Sequence, residues 1–368
     1  MEVLFFIFVA AVAIQLIFCI LFLVAFSLRQ AAGSRQPDHP VSIIVCAHDE
    51  EQNLKELIPL LLSQDYPQFE VIVVNDRSND NTFDWLIEET KKDHRLRMVH
   101  VNRLPEHVTG KKYAITLGVR AATFDWLLFT DADCRPSSNY WIKEMNSRVD
   151  ESAQFVLGFS PYTKSRGFLN LFIRFETLLT AVQYLSFGLL KMPYMGVGRN
   201  LAHRKSFFME QKGFTNMLHI EGGDDDLYVN RHATGANTRV CLHPQATVRS
   251  IPESTVKGFF RQKVRHLAAG RRYTFKIRAI LGIFMLSWVV TWFVALSLLA
   301  LKTYVLWTTG LLVFRWVMLI SAFQISTRRL KEKFEVWAVP ALDFLFPIYY
   351  ISTGLAALLT KKVRWKKN

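Results

Sequence analysis

The sequence has few cysteines for a chain of 368 residues. There are four, Cys19, Cys46, Cys134 and Cys241, and they show no paired spacing. We therefore expect neither a disulfide framework nor a zinc site built from cysteine pairs. The same scarcity agrees with a domain that stays in a reducing compartment such as the cytoplasm.

Two common phosphate-binding loops are also missing. No Gly-x-Gly-x-x-Gly follows the first predicted strand, which disfavours a dinucleotide-dependent dehydrogenase. The segment "TGKKY" at 109–113 contains Gly-Lys but has neither the glycine spacing nor the Ser/Thr of a P-loop. Any phosphate that this chain binds is therefore expected to be held by a metal ion.

Charge is nearly absent from the first 28 residues of an otherwise basic chain, which has 45 Lys and Arg against 31 Asp and Glu. Residues 1–28 contain one charged residue, Glu2, and are long enough to span a bilayer. A cleaved signal peptide would need a basic start and a shorter apolar core. Because Arg29 and Arg35 follow, we predict a transmembrane anchor with the next domain in the cytoplasm.

Further apolar runs lie near the end of the chain. Residues 279–325 contain two runs separated only by Lys302, which predicts a transmembrane hairpin. A last run, 337–360, carries two prolines. We therefore expect a membrane segment with a broken helix, or a re-entrant segment. Both of its ends would lie in the cytoplasm, because a single crossing would place the basic tail 361–368 outside. The chain is thus predicted to be a multi-pass protein of the cell (inner) membrane.

Two opposite charges interrupt these apolar runs. Arg315 lies midway along its run, where a charge costs roughly 2.5 to 3.5 kcal/mol on insertion scales. Asp343 is the only acidic residue of the last run. We therefore predict an intramembrane pair, or a polar pocket that the two residues share.

Between the membrane segments, residues 38–275 form the predicted cytoplasmic domain. Runs rich in β-branched residues predict strands at 41–47, 70–76, 97–102 and 126–132, and helical periodicity separates them at 50–62, 82–92 and 111–122. This alternation predicts an α/β fold with a mostly parallel sheet. Ligands of such sheets bind beyond the carboxyl ends of the strands.

Acidic and polar residues follow three of these predicted strands, in "AHDEE", "NDRSNDNT" and "TDADC". In an extended segment Asp131 and Asp133 would point the same way, and a hard divalent cation resolves the repulsion of two such carboxylates. An isolated Asp-x-Asp is more often a solvated turn. Because three strand ends converge on one edge, we favour a functional site.

Seven segments between residues 41 and 266 carry a resemblance to a known family. They read "VSIIVCAHDEEQNL", "VIVVNDRSNDNT", "GKKYAI", "FTDADC", "GVGRNLAHRKSF", "GGDDDLYVNRHATG" and "RQKVRH". In this order they resemble the family 2 glycosyltransferases of GT-A fold, in the membrane-bound branch of cellulose, chitin and hyaluronan synthases and ceramide glucosyltransferase. The sequence departs from the family at Asn75, where an aspartate is common, and at His266, where the family has tryptophan.

The resemblance implies a nucleotide-sugar donor, most simply a UDP-sugar, and Mg²⁺ or Mn²⁺ as the cofactor. Asp133 would hold the metal. The residues expected to contact the nucleotide sugar are Ala47, Glu50, Asp76, Lys111 and Asp131. A lysine at a helix start such as Lys111 is otherwise simply solvated.

The segment "GGDDDLYVNRHATG" offers three acids for the general base of an inverting transfer. Matching Gly235 to the family glycine selects Asp224. Asp225 and Asp226 would then be acids at a helix N-terminus, which is also the ordinary explanation for all three. Gly222 and Gly223 are expected to let the backbone approach the acceptor.

The basic segment 254–278 has two explanations. A juxtamembrane cluster of Lys and Arg is attracted to anionic lipid. Gln262 and Arg265 also match the family's Gln-x-x-Arg, and together with His266 we expect them to be catalytic. His266 offers less apolar area for sugar stacking than tryptophan, which favours transfer of one or a few sugars.

These observations predict an inverting glycosyltransferase that moves a sugar to a lipid or lipid-linked glycan at the membrane, with no nucleic-acid partner. Three alternatives stay open: a processive polysaccharide synthase, a metal-dependent membrane phosphotransferase and a catalytically inactive membrane scaffold. The phosphotransferase would share the acidic strand ends but would have no use for "RQKVRH".

Overall fold

The computed structural model describes residues 1–28, 39–218 and 220–360. Arg29, Arg35 and the predicted basic tail 361–368 lie outside the described residues. The chain divides into two compact units, of which the first contains residues 1–28, 164–186 and 254–360. The second contains the described residues of 39–163 and 187–253. Two parts of the predicted cytoplasmic domain, 164–186 and 254–275, therefore group with the apolar helices.

The second unit contains the sheet that the sequence predicts. Its large sheet consists of seven strands, β1 Val41–Ala47, β2 Phe69–Asp76, β3 Leu96–Val101, β4 Trp126–Asp131, β6 Phe155–Leu157, β7 Leu201–Arg204 and β8 Thr238–Val240. Their order is β3-β2-β1-β4-β7-β6-β8, and β7 alone among these described strands runs antiparallel to both of its neighbours. A small sheet pairs β5 Cys134–Pro136 with β9 Val248–Ser250. The predicted mostly parallel α/β fold is confirmed.

Helices cover the sheet because each buries one apolar face against it. The helices of this unit are α2 Glu51–Leu62, α3 Thr82–Thr90, α4 Gly110–Ala121, α5 Trp141–Asn146, α7 Lys205–Glu210 and α8 Asp226–His232. In α2 the buried residues are Leu54, Leu57, Ile58 and Leu61, which is the spacing of one helical face. They join a core of Val and Ile side chains from β1 and β2.

The strand register places the candidate site residues at one edge. Ala47 at the end of β1 lies opposite Asn75 of β2, and Cys46 lies opposite Asp131 of β4. One expectation is wrong here. The strand β4 ends at Asp131, and Ala132 and Asp133 form a turn before β5, so the two aspartates do not share an extended segment.

The first unit contains four helices that are long and apolar enough to cross a membrane, at Glu2–Ser27, Phe275–Ala300, Val305–Leu330 and Val336–Leu359. Their helical parts are α1 Glu2–Ser27, α10 Phe275–Ala300, α11 Val305–Leu330 and α12 Val339–Leu359. These helices indicate membrane association. The unit also contains α9 Val256–Gly270 and most of α6 Phe168–Leu189.

The last apolar segment is one continuous helix. Pro347 lies inside α12, and Pro340 falls in its first turn, where a proline leaves no helical hydrogen bond unmade. The expected broken element is therefore wrong, because a proline is tolerated within a membrane helix when its neighbours satisfy the backbone. The sides on which its two ends lie stay a prediction.

The predicted pair of opposite charges is confirmed. Arg315 of α11 donates to both carboxylate oxygens of Asp343 of α12, at 2.8 and 2.7 Å. The same guanidinium donates to Gln15 of α1 at 3.0 Å. The indole N–H groups of Trp292 and Trp316 donate to Asp343 at 3.1 and 2.9 Å. This network is buried. It joins four helices of the first unit, α1, α10, α11 and α12, and Trp292 is the residue that α10 contributes.

We expect Asp343→Leu to destabilise the protein by about 3–5 kcal/mol, because it leaves Arg315 as a buried, unpaired charge. The double variant Arg315→Met, Asp343→Leu should recover most of this loss. Thermal unfolding in detergent measures both. Ser352→Leu is the control, since Ser352 is an exposed residue of the same helix. An Asp343→Leu protein that unfolds at the wild-type temperature would contradict the expected role of the pair.

Candidate active site

Lys111 joins two of the candidate carboxylates. Its Nζ atom lies 3.1 Å from Oδ1 of Asp131 and 3.2 Å from Oδ2 of Asp224. Asp131 is the last residue of β4, Lys111 is near the start of α4, and Asp224 lies just before α8. Three predicted site residues from separate parts of the sequence therefore meet at one ammonium group.

The charges of this group depend on each other. Burial alone would lower the pKa of Lys111, but the carboxylates of Asp131 and Asp224 raise it well above its usual value. Burial would likewise raise the pKa of Asp224, whereas Lys111 and Lys112 act in the opposite direction and leave it below its usual range. Asp224 is thus an ionised carboxylate held beside a charged lysine.

The two acids after Asp224 have different partners. Asp225 accepts hydrogen bonds from the backbone N–H groups of Gly198 at 2.5 Å and of Asp226 at 2.7 Å. Asp226 accepts from the N–H of Leu227 at 2.7 Å. Both bind backbone donors at or near the start of α8, as expected for acids at a helix N-terminus. Burial and the charge of Asp224 raise the pKa of Asp225.

The loop that precedes Asp224 is held by a lysine that the sequence analysis missed. Lys112 is 1% exposed, and its Nζ atom donates to the carbonyls of Ile220, at 2.5 Å, and Gly222. Burial lowers its pKa. Beside it, the N–H of Thr109 donates to Leu218 at 2.9 Å. Nothing in "GKKY" distinguishes Lys111, which faces carboxylates, from Lys112, which anchors a loop.

Asp133 lies in a different environment. Burial and the charges of Asp131 and Glu50 raise its pKa, although Arg199 acts in the opposite direction. Its carboxylate receives long contacts, 3.5 Å each, from the hydroxyl of Ser250 and the thiol of Cys134. A half-buried carboxylate with such weak donors is poorly compensated, and a cation would relieve it.

A divalent metal ion fits this donor set. Among the described residues, no three His, Cys, Asp or Glu side chains form a ready-made metal cage. Hard cations such as Mg²⁺ use one or two carboxylates and take their remaining ligands from substrate phosphates and water. Asp133, with Asp131 near it, provides carboxylates of this kind.

The residues expected around a nucleoside lie at the ends of β1 and β2. Asp76 is fully buried, and its carboxylate accepts from Nε of Arg77 at 2.8 Å and from Nη2 at 3.2 Å. Gly110 lies against this pair, since a Cβ there would come within 2.9 Å of Asp76. Ala47 ends β1, and Glu50 precedes α2, where it accepts from the amide of Asn53 at 2.6 Å. Their contact with a donor stays a prediction.

The Gln-x-x-Arg residues belong to the first unit, whereas the carboxylates belong to the second. All three, Gln262, Arg265 and His266, lie on α9. The helix begins with Thr255, whose hydroxyl accepts from the N–H of Gly258 at 3.1 Å. Lys263 of the same helix forms an ion pair with Glu176 of α6.

Comparison with known proteins assigns part of the chain to a known domain family. Residues 42–207 match the family described as "Glycosyl transferase family 2". The chain carries a family 2 glycosyltransferase domain. The matched range includes Asp76, Lys111, Asp131 and Asp133 and ends before Asp224. The predicted resemblance to family 2 glycosyltransferases is therefore confirmed for this range.

Several relatives carry related names. The chain is 28% identical over 245 residues to "Probable glycosyltransferase YdaM" of Bacillus subtilis (strain 168), a match that covers 63% of this chain and 55% of that protein. It is 33% identical over 95 residues to "Poly-beta-1,6-N-acetyl-D-glucosamine synthase" of Staphylococcus epidermidis, covering 25% of this chain and 21% of that protein. The matches thus span about half, or less, of these relatives.

A solved structure shows the same fold. It is titled "Mannosyltransferase PcManGT from Pyrobaculum calidifontis in complex with GDP-Man and Mn2+". The TM-score is 0.63 at 16% identity, over 98% of this chain and 99% of that chain. At this identity the likeness supports the GT-A fold and nothing further.

The two glycines before Asp224 provide a matched test of how its loop is held. Both have positive φ, 70° at Gly222 and 72° at Gly223. A Cβ at Gly222 would meet nothing within 4 Å, whereas a Cβ at Gly223 would lie 2.3 Å from Leu227 Cδ1. The two glycines therefore have the same backbone conformation, but an added Cβ would clash at Gly223 and not at Gly222.

We expect Gly222→Ala to cost about 1–2 kcal/mol of stability, for the left-handed backbone alone. Gly223→Ala should cost about 1–3 kcal/mol more, because it also overpacks Leu227, and it should lower glycosyltransferase activity further by moving Asp224. Thermal unfolding and sugar transfer measure the two effects. Equal losses in both variants would show that the contact with Leu227 is unimportant.

Proposed function

We propose that this glycosyltransferase moves a sugar from a nucleotide sugar, most simply a UDP-sugar, to a lipid or lipid-linked glycan with inversion at the anomeric carbon. The observation that supports this most directly is the meeting of Asp131 and Asp224 at Lys111. It brings a residue of the expected donor site next to the expected base. An inverting transfer needs that arrangement, because the base must take the proton of the acceptor hydroxyl while its oxygen attacks the anomeric carbon of the donor.

Asp224 is the general base. It is ionised, because Lys111 and Lys112 hold its pKa below the usual range, so it can accept the proton of the acceptor hydroxyl. That oxygen attacks the anomeric carbon from the face opposite the leaving group. The bond between this carbon and the phosphate oxygen breaks, and its electron pair stays on the departing nucleoside diphosphate.

Asp133 would hold Mg²⁺ or Mn²⁺, with Asp131 near the nucleotide. When bound, the ion neutralises negative charge on the diphosphate. The mannosyltransferase of the same fold binds GDP-mannose with Mn²⁺, and we infer the same pairing of a nucleotide sugar with a divalent ion here. Ala47, Glu50 and Asp76 would line the nucleoside pocket.

The acceptor is proposed to be a lipid or a lipid-linked glycan. The four long apolar helices of the first unit support this, because they place the enzyme where such acceptors are found. We propose a multi-pass protein of the cell (inner) membrane, with its catalytic domain in the cytoplasm and basic residues near anionic lipid. In this scheme Gln262, Arg265 and His266 of α9 act on the acceptor and the leaving group.

A processive polysaccharide synthase is the second candidate. The 95 residues shared with the poly-N-acetylglucosamine synthase of Staphylococcus epidermidis favour it. His266 in place of the family tryptophan favours short products, since a smaller platform holds a long glycan less well. A phosphotransferase remains the third, and it would not release free nucleoside diphosphate while transferring labelled sugar.

One experiment separates these candidates. The purified full chain in lipid nanodiscs is offered radiolabelled UDP- and GDP-sugars with a lipid extract, and products are sized. We expect release of nucleoside diphosphate together with one or a few labelled sugars on lipid. A long homopolymer would establish the processive alternative, and the absence of both release and transfer with every donor would contradict the proposed function.

Asp133→Asn and Asp224→Asn should have different effects. Asp133→Asn should abolish metal-dependent binding of the nucleotide sugar, because the metal loses a charged oxygen ligand. Asp224→Asn should leave donor binding intact and lower kcat on the order of 10²-fold or more, the usual range for a lost general base. Calorimetry and steady-state rates measure these quantities.

Asp84→Asn is the matched control for this pair, since Asp84 is an exposed residue of α3 in the same unit. It should change neither donor binding nor kcat. If Asp133→Asn and Asp224→Asn lost donor affinity equally, the proposed division between metal ligand and base would be wrong.

A further inference from the structure

Arg199 is a cation beside the candidate metal site to which the sequence analysis gave no role. It lies in a short 3-10 helix, Gly198–Asn200, directly before β7. Its guanidinium stacks over the ring of Tyr162, with 4.5 Å between Cζ and the ring centroid. Its Nη2 atom donates a long hydrogen bond, 3.3 Å, to the carbonyl of Ser160.

One nitrogen of this guanidinium lacks a hydrogen-bond acceptor within the described part of the chain. The Nη1 atom of Arg199 is buried and has no hydrogen-bond acceptor among the residues that the structure describes. Within those same residues the side chain also forms no ion pair. A buried charged donor without a partner costs free energy, so such a group is rare unless a ligand completes it.

The backbone around Arg199 is fixed from both sides. The N–H of Gly198 donates to Asp225, the neighbour of the proposed base, at 2.5 Å. The side chain of Asn200 donates to the carbonyls of Phe159 and Ala246, at 2.8 Å each, and accepts from Trp141 at 3.0 Å. The backbone on both sides of Arg199 is therefore held, on one side by the loop of the proposed base.

The electrostatic surroundings identify the kind of ligand. Burial alone would lower the pKa of Arg199, but Tyr162, Cys134, Asp133 and Asp131, in that order of effect, raise it, so both carboxylates are within electrostatic range of the guanidinium. The other described cations of the site already have partners: Lys111 binds Asp131 and Asp224, Lys112 binds carbonyls, and Arg77 binds Asp76. Arg199 is the cation with a donor to spare beside the place where a metal and a diphosphate would meet.

We propose that Arg199 binds the β-phosphate of the nucleotide sugar through Nη1 and stabilises the nucleoside diphosphate as it departs. This proposal rests on the proposed function. When the bond between the anomeric carbon and the phosphate oxygen breaks, that oxygen keeps the electron pair and the diphosphate gains a negative charge. The acceptor proton goes to Asp224, so charge is balanced on both sides of the step. A guanidinium is suited to this role because its planar N–H donors match phosphate oxygens.

The test is the affinity of the full chain for UDP, GDP, UMP and GMP, with Arg199→Ala and Arg199→Lys compared with the wild type. Loss of one charge-assisted hydrogen bond should weaken binding of the matching diphosphate about 10- to 100-fold in Arg199→Ala. The monophosphates lack the β-phosphate and should bind nearly as before. Arg199→Lys should fall between, because it keeps the charge and loses the planar fork. The rate of transfer should fall in the same order.

Arg204→Lys is the matched control. Arg204 also stacks on an aromatic ring, Trp126, with 4.9 Å to the centroid, and it is paired with Asp125 at 3.4 Å. It should bind diphosphates as the wild type does. Arg199→Lys keeps the test valid if Arg199→Ala fails to fold, because it preserves the buried positive charge.

Three results would overturn the proposal, and they differ in what they imply for the proposed function. If the wild type binds and uses a nucleotide sugar but Arg199→Lys keeps full diphosphate affinity and rate, the role of Arg199 is wrong and the proposed function stands. Equal weakening of monophosphate and diphosphate in the Arg199 variants has the same meaning, since the loss is then not at the β-phosphate. If the wild type binds neither UDP nor GDP, the proposed function fails and the role of Arg199 fails with it.

Discussion

The candidate site depends on the ion pairs that Lys111 makes with Asp131 and Asp224. Two carboxylates that converge on one half-buried position repel each other, and partial burial adds to that cost. The ammonium group offsets both, and it also keeps Asp224 ionised. The loop before α8 can therefore lie against the end of β4, although the two are far apart in the sequence. Lys112 adds a second restraint by binding the carbonyls of that loop.

The sequence was sufficient where a local pattern has one physical outcome. Runs of β-branched residues are compatible with strands buried on both faces, and β1, β2 and β4 begin and end within one residue of the predicted ranges. The pair of Arg315 and Asp343 was also predictable, because a charge in an apolar helix needs an opposite partner and one acid was available. Asp131 and Asp224 were found through the order of motifs, and the structure places both beside Lys111.

Other features depend on contacts that no local pattern records. Lys111 and Lys112 are adjacent and chemically identical, and only the geometry of α4 separates a lysine that faces carboxylates from one that binds a loop. The alternation rule failed for Asp133 because β4 ends at Asp131 and a turn follows. The expectation of a broken last segment failed for a different reason, because a proline inside a membrane helix need not break it. Arg199 was missed because its significance lies in an unfilled donor, which a sequence does not show.

The two units differ in how completely their charged side chains are hydrogen-bonded. Both Nη atoms of Arg315 have acceptors among the described residues, whereas its buried Nε atom has none, and Asp343 receives further bonds from two indoles, so both oxygens of this carboxylate are engaged. Asp133 has two long contacts, and Arg199 has a buried donor without an acceptor. A metal ion would compensate the carboxylate of Asp133, and a phosphate would accept from the free donor of Arg199. The long contacts of Asp133 and the unpaired donor of Arg199, more than the acidic composition of the strand ends, support the proposal that a charged substrate binds at this edge of the sheet.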